Sequence, residues 1–176
     1  CSSGGPQSIV YGDEETTTNV SVVTSADGLE PVKLVFVSVK SYQTETAVRG
    51  VRAGIGDDTR VLSMQNGIGN TTLMAGLLGP DRVLSGITYH SIQHTGPNSL
   101  RFRPGIKPIQ ISTFAGKPTE DVKRIGEVFR KANLETEVVD NVDHAIWQKL
   151  LHNAVVNPVS ALTGLDCNGL LADEDL

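Results

Sequence analysis

Lys149, Asn153 and Asn157 recur at i, i+4 and i+8 in a stretch with helical periodicity, so at about 100° per residue they form one stripe along a helix. An ammonium can give a proton or a hydrogen bond to an oxygen that is gaining negative charge. Carboxamides beside it can orient a hydroxyl, carbonyl or carboxylate without carrying charge. This set of groups suits the reduction of a small polar carbonyl compound. On the same wheel Ile146, Trp147, Leu150, Leu151 and Ala154 make a broad apolar face, and the polar stripe overlaps it, with Asn157 falling between Ile146 and Leu150. A polar group buried without a partner costs on the order of a few kcal/mol, so the stripe either lines a polar cavity or bonds to nearby backbone. The pattern alone leaves both readings open. Pro158 removes a backbone donor just after Asn157, which predicts that the helix kinks or ends there.

A second candidate is Asn66-Gly67-Ile68-Gly69-Asn70-Thr71-Thr72, between a strand pattern and a helix pattern. It is not the dinucleotide fingerprint. That motif opens the first strand–helix unit and has an acid about 20 residues on. Here a buried-strand pattern already precedes the loop, and His90 to Thr95 contain no acid. The loop is either a plain tight turn or a ligand contact at the carboxyl end of a parallel strand, where open α/β sheets bind ligands.

The elements that must hold these residues follow from periodicity. Residues 1–17 give no clear element, and Val20, Val22 and Val23 suggest a short strand. Val32 to Val39 is nearly continuous apolar and β-branched, as in a parallel strand covered on both faces. A helix over Gln43–Val51, a strand over Val61–Gln65 and a helix over Thr71–Leu78, stopped by Gly79-Pro80, continue the alternation. That order predicts an α/β fold with a doubly wound, Rossmann-type sheet. From Arg82 to Thr113 the pattern becomes strands joined by turns, with a hairpin at Thr95-Gly96-Pro97-Asn98, and predicts an antiparallel extension of the sheet. Pro118 to Asp121 opens a helix with Val122, Ile125, Phe129 and Ala132 on one face, and Thr136–Val139 is the last strand. From Asp143 onward the chain reads as helix. The expected division is a partial dinucleotide-binding domain over 1–140 and the start of an all-α, substrate-binding domain over 141–176.

Composition narrows the function classes. The 176 residues carry 15 Lys+Arg against 20 Asp+Glu, and this net charge of −5 argues against an electrostatic grip on nucleic acid or on an anionic membrane. No apolar run approaches the roughly 20 residues that span a bilayer. Cys1 and Cys167, the only cysteines, stand near opposite ends and make no disulfide framework, so a cytoplasmic location is the expectation. The first residue is not Met and an acidic stretch precedes Leu176, which suggests that the natural protein extends beyond both ends.

Taken together, Val37-Ser38-Val39-Lys40-Ser41-Tyr42-Gln43, Gln65-Asn66-Gly67-Ile68-Gly69, Gly86-Ile87-Thr88, and Trp147-Gln148-Lys149-Leu150 with Asn153 and Asn157-Pro158-Val159-Ser160-Ala161-Leu162 resemble the ketopantoate reductases (2-dehydropantoate 2-reductases). The motifs stand in family order over roughly residues 18 to 171; each alone is weak and the set is specific. The resemblance implies NADPH-dependent reduction of 2-dehydropantoate to pantoate, on the route to pantothenate and coenzyme A. It implies Lys149 as general acid, Asn153 and Asn157 holding substrate, Asn66 touching both nicotinamide and substrate, and Lys40 lying along the cofactor. Asn168 resembles a further substrate-binding asparagine, one residue further from Lys149 than the family spacing. A family cofactor contact would fall near Ile92, where this sequence departs from the pattern, and it is not carried over. The family's Gly-x-Gly-x-x-Gly turn is expected before Cys1, and most of its helical domain after Leu176.

Other readings remain. A relative reducing another 2-oxo acid would use the same groups, and a non-catalytic interaction module of this fold would need none of them. A homodimer is compatible with either. Lys40 also reads as a solvated residue at a strand end. Trp147 reads as a core anchor of the helical part and Cys167 as a small apolar residue. His90 and His94 have a helical metal spacing, but Tyr89–Gln93 reads as strand, where that spacing separates them.

Overall fold

The computed structural model describes residues 6–11, 14–19, 21–97, 99–105 and 107–172. Three strands with β-branched and aliphatic runs, β3 (Leu34–Val37), β4 (Arg60–Ser63) and β5 (Val83–Ile87), pair in parallel, Val35 opposite Val61 and Leu62 opposite Leu84. Helices α1 (Thr44–Gly50) and α2 (Asn70–Leu78) make the crossovers. After β5 the sheet continues through β8 (Ile109–Thr113), antiparallel to β5, and β9 (Thr136–Val138), parallel to β8, giving the order β3-β4-β5-β8-β9.

Strand alternation sends successive side chains to opposite faces, and each face has its own core. Val37, Val61 and Val83 pack with Val48 of α1 and with Met74 and Leu78 of α2. Leu62, Leu84 and Ile111 pack on the other face with Val122 and Phe129 of α3 (Glu120–Lys131). Helices thus cover both faces, as doubly winding requires. The N-terminus of α3 is set by Thr119, whose side chain accepts the Val122 N–H at 3.5 Å.

The apolar run around β3 is less enclosed than its composition suggests. It is the outermost strand of the sheet among the described residues, and Phe36 is half-exposed, covered on the α3 face mainly by Phe129, with ring centroids 5.5 Å apart. The hairpin also departs from expectation. Strands β6 (Ser91–Gly96) and β7 (Ser99–Arg103) do not extend the main sheet; they join β1 (Pro6–Tyr11) and β2 (Glu14–Asn19) in a second sheet of order β2-β1-β7-β6. Local pattern gives no hint of β1 and β2, which form by long-range pairing of Ile9 with Leu100 and Val10 with Arg101. Val22 and Val23 are exposed and lie outside any strand, and Val20 lies outside the described residues.

Helix α4 (Asp143–Thr163) leaves the sheet after β9, its first turn fixed by the Asn141 Oδ1, which accepts the Asp143 N–H at 2.6 Å. It neither stops nor breaks at Pro158 but runs one turn further. Pro158 denies the Ala154 carbonyl its donor, and since Ala154 is exposed, water can take that place. Gly164, at φ 74°, ends the helix and α5 (Cys167–Ala172) follows. The face that reads as apolar is largely open: Trp147 is 50% and Leu151 63% exposed, and no residue of α4 is fully buried. No described helix is long and apolar enough to cross a membrane.

Candidate active site

Strand β4 delivers Gln65 and Asn66 to the carboxyl edge of the sheet, and a polar clamp fixes them there. The Gln65 Nε2 donates to the Val39 carbonyl at 2.7 Å and to Thr44 Oγ1 at 2.8 Å, and its Oε1 accepts from Ser63 Oγ at 3.1 Å. Thr44, fully buried, passes its own proton to Asn70 Oδ1 at 3.4 Å. The Asn66 carbonyl accepts from Asn70 Nδ2 at 3.2 Å and from Ser41 Oγ at 3.4 Å. The ends of β3 and β4 and the starts of α1 and α2 are thereby joined at one point. Gly67 and Gly69, at φ 90° and 87°, adopt the left-handed conformation that lets the chain turn straight into α2. The Asn66 backbone is held and its exposed side chain is left free of hydrogen bonds among the described residues.

Helix α4 brings the other half. Asn66, Lys149 and Asn153 line one narrow crevice, walled by Gly67, Ile87, Ile146 and Leu150. The Lys149 ammonium donates to the Thr88 carbonyl and lies 5.6 Å from the Tyr89 ring centroid. Burial holds its pKa below the ordinary lysine value of 10.5. His90 Nδ1 accepts the Gly105 N–H at 2.8 Å, and burial first, then the Lys149 charge, push the imidazole pKa down. Accepting at Nδ1 places the proton of the neutral ring on Nε2, which is buried without a hydrogen-bond partner among the described residues, and the ring packs on Phe102 at 5.0 Å.

Lys40 leaves β3 in extended conformation, exposed, on a cleft of about 500 Å³ shared with Ser38, Ser41, Gln43, Met64 and Asn66. No carboxylate lines this cleft, and its lysine and hydroxyls at the carboxyl edge of parallel strands suit an anionic dinucleotide. Asn157, further along α4, and Asn168, on α5, are both exposed and line neither the crevice nor the cleft. Among the described residues no three His, Cys, Asp or Glu side chains gather as a metal site. Two contributors were not singled out by spacing: Gln65, legible only as part of a motif, and Tyr89, for which no local signal exists.

The arrangement presents one partly buried ammonium and two carboxamides to a crevice that adjoins an acid-free cleft. The crevice itself holds about 10 Å³, room for roughly one water, but Lys149 and Asn153 also line a cavity of about 630 Å³, where the ammonium can polarise and protonate the oxygen of a small carbonyl compound.

Comparison with known proteins identifies the family. The family model "Ketopantoate reductase PanE/ApbA" matches residues 7–116, and "Ketopantoate reductase PanE/ApbA C terminal" matches residues 141–176. The 2-dehydropantoate 2-reductases of Halobacterium salinarum and Pyrococcus horikoshii are 33% and 34% identical to the chain, over 94% and 95% of it. The chain spans 54% of the length of each of these relatives. The crystal structure of 2-dehydropantoate 2-reductase from Geobacter metallireducens superposes with a TM-score of 0.86 at 24% identity, over 96% of this chain and 56% of that one. A ternary structure of D-mandelate dehydrogenase with NADH and anilino(oxo)acetate superposes at 0.85 with 18% identity, over 96% of this chain and 54% of that one. At those identities the likeness is one of fold.

Proposed function

The chain belongs to the ketopantoate reductase family, and from that footing we propose that its full-length protein reduces 2-dehydropantoate to pantoate with NADPH in the cytoplasm. The observation that carries this reading is the shared crevice of Asn66, Lys149 and Asn153, formed by a strand end and a helix far apart in sequence. Lys40 and Asn66 would hold the cofactor, which supplies a hydride when bound. Lys149 would donate the proton that neutralises the negative charge developing on the substrate's carbonyl oxygen. Asn153 orients the substrate beside that ammonium, and Asn66 orients it from the sheet side. Asn157 and Asn168 are substrate contacts on resemblance alone. The division near 140–141 is supported by the start of the second family match at residue 141. The test is NADPH consumption by the full-length protein with 2-dehydropantoate against other branched 2-oxo acids. A preference of several orders of magnitude for another acid would replace the substrate assignment.

The lowered pKa of Lys149 gives a further expectation. Only the protonated ammonium can donate, so kcat should fall as pH rises through that lowered value, on an alkaline limb below the ordinary lysine value of 10.5. Stability has the opposite slope. Between the folded pKa and 10.5 the unfolded chain binds more protons at this site, so stability rises with pH across that window. A pH–rate series with parallel melting curves checks both signs, and a limb at or above 10.5 would contradict the proposed donor.

A further inference from the structure

A row of buried hydroxyls crosses the main sheet where apolar side chains are expected. Ser63 of β4, Ser85 of β5 and Ser112 of β8 are register partners, Ser63 opposite Ser85 and Ser85 opposite Ser112, and they are 3%, 5% and 2% exposed. By strand alternation they share the face on which Val61 and Val83, two residues earlier on β4 and β5, pack against α1 and α2. The Ser63 Oγ donates to Gln65 Oε1 and the Ser112 Oγ to the Thr113 carbonyl, but the Ser85 Oγ is buried without a hydrogen-bond partner among the described residues. Burying an unpartnered hydroxyl is unfavourable, so its presence in place of another valine calls for a partner. The three serines line a cavity of about 360 Å³ onto which the start of α2 also opens. That helix has no side-chain cap and no acid in its first turn. The N–H groups of Asn70, Thr71 and Thr72 therefore have no acceptor within the helix, and all three residues line the cavity. The start of α4 and the turn after β8 add Asp143, Trp147 and Phe114, with Trp147 half-exposed. No described Lys, Arg or His lines the cavity, which adjoins the crevice through Gly67 and Ile146 but does not include Lys149 or Asn153.

We infer that this cavity is a second small-molecule site, separate from the reductase chemistry, and that it takes a neutral, hydroxyl-rich ligand of about monosaccharide size. Its volume is that of a small-metabolite pocket rather than of a few waters. Its charge follows from the lining. With Asp143 present and no cationic side chain, the cavity offers no full counter-charge to a phosphate or a carboxylate. It offers donors and acceptors together, and a sugar hydroxyl is both. The α2 N–H groups donate to sugar oxygens, the Asp143 carboxylate accepts from sugar hydroxyls, and the Ser85 hydroxyl gains the partner that the fold denies it. Trp147 and Phe114 supply flat apolar surface for the C–H face of a sugar ring. The α2 N-terminus taken alone favours an anion, so anions form one arm of the test.

Trp147 is the only tryptophan of the chain, so its fluorescence reports on this cavity. The full-length protein, with NADP⁺ present to occupy the cofactor cleft, is titrated with D-ribose, D-glucose, acetate and inorganic phosphate. Wild type should show a saturable change with at least one of the sugars and with neither anion, and Trp147→Phe should lose that signal. Ser85→Val continues the valine pattern of the strand, and Ser85→Ala removes the hydroxyl without adding bulk. Both should weaken the sugar about tenfold, the loss expected for one well-placed hydrogen bond. Ser85→Ala should melt no lower than wild type, because the hydroxyl it removes has no partner in the fold. The absence of a saturable change with either sugar would overturn the site, as would undiminished sugar binding in both Ser85 variants. Saturation by acetate or phosphate in place of the sugars would overturn the ligand class. A Ser85→Ala protein that melts well below wild type would show that the fold itself uses the hydroxyl, and would overturn the inference from the other side.

Discussion

Lys149→Ala should lower kcat of the full-length protein by roughly 10²-fold or more, the range for loss of a positioned general acid, and leave cofactor affinity nearly unchanged. Without the ammonium, the alkoxide formed on hydride addition must take its proton from water. Cofactor affinity is spared because the cleft that contains Lys40 is formed by other residues. The competing account is structural, since the same ammonium donates to the Thr88 carbonyl and tethers α4 to the end of β5. If that tether is its whole role, the variant melts earlier and the folded fraction turns over normally. Melting temperature and kcat measured on one preparation separate the two, and a destabilised protein with near-normal turnover would refute the donor role.

Gln65→Leu should be the most damaging change outside the crevice's charged groups. Leu is close in size to Gln but can replace none of its three hydrogen bonds, to Val39, Thr44 and Ser63. It leaves the Val39 carbonyl, at the end of β3, without that donor and removes a partner from the fully buried Thr44 hydroxyl. Orphaned polar groups of this kind cost about 1–3 kcal/mol each, so a loss of roughly 3 kcal/mol is expected after partial rearrangement. The Asn66 carbonyl hangs from the same network through Asn70 and Ser41, so the side chain that faces the crevice should also shift. A displacement of about 1 Å at a reacting site can cost on the order of 10²-fold in rate. Thermal unfolding and kcat should therefore both fall. An unchanged melting temperature would show that the clamp contributes nothing.

The sheet and its helices are legible because each central strand carries its own burial signal. The valines of β3, β4 and β5 that face α1 and α2, with Leu62 and Leu84 facing α3, need no knowledge of distant sequence to be recognised as core. β1 and β2 have no such signal: Glu14 to Asn19 is acidic and threonine-rich, and these strands exist only through pairing with each other and with β7. The helical stripe was legible in part. Lys149 and Asn153 reach the crevice, whereas Asn157, further along α4, is exposed and lines no part of it. Periodicity assigns residues to faces, and only tertiary packing decides which face is covered. Tyr89 is not legible for the same reason, as the loop after β5 meets a helix that follows much later in the chain.

The central claim is that the β4 loop and helix α4 act on one substrate molecule. The most direct measurement is a double-mutant cycle on kcat/KM for 2-dehydropantoate with Asn66→Ala, Lys149→Ala and the pair, in the full-length protein. Residues that serve the same reacting carbonyl lose their effects non-additively, so once Lys149 is gone the further removal of Asn66 should cost much less than it does in wild type. Effects that add fully in free energy would mean that the two residues act independently, and would contradict a shared active site.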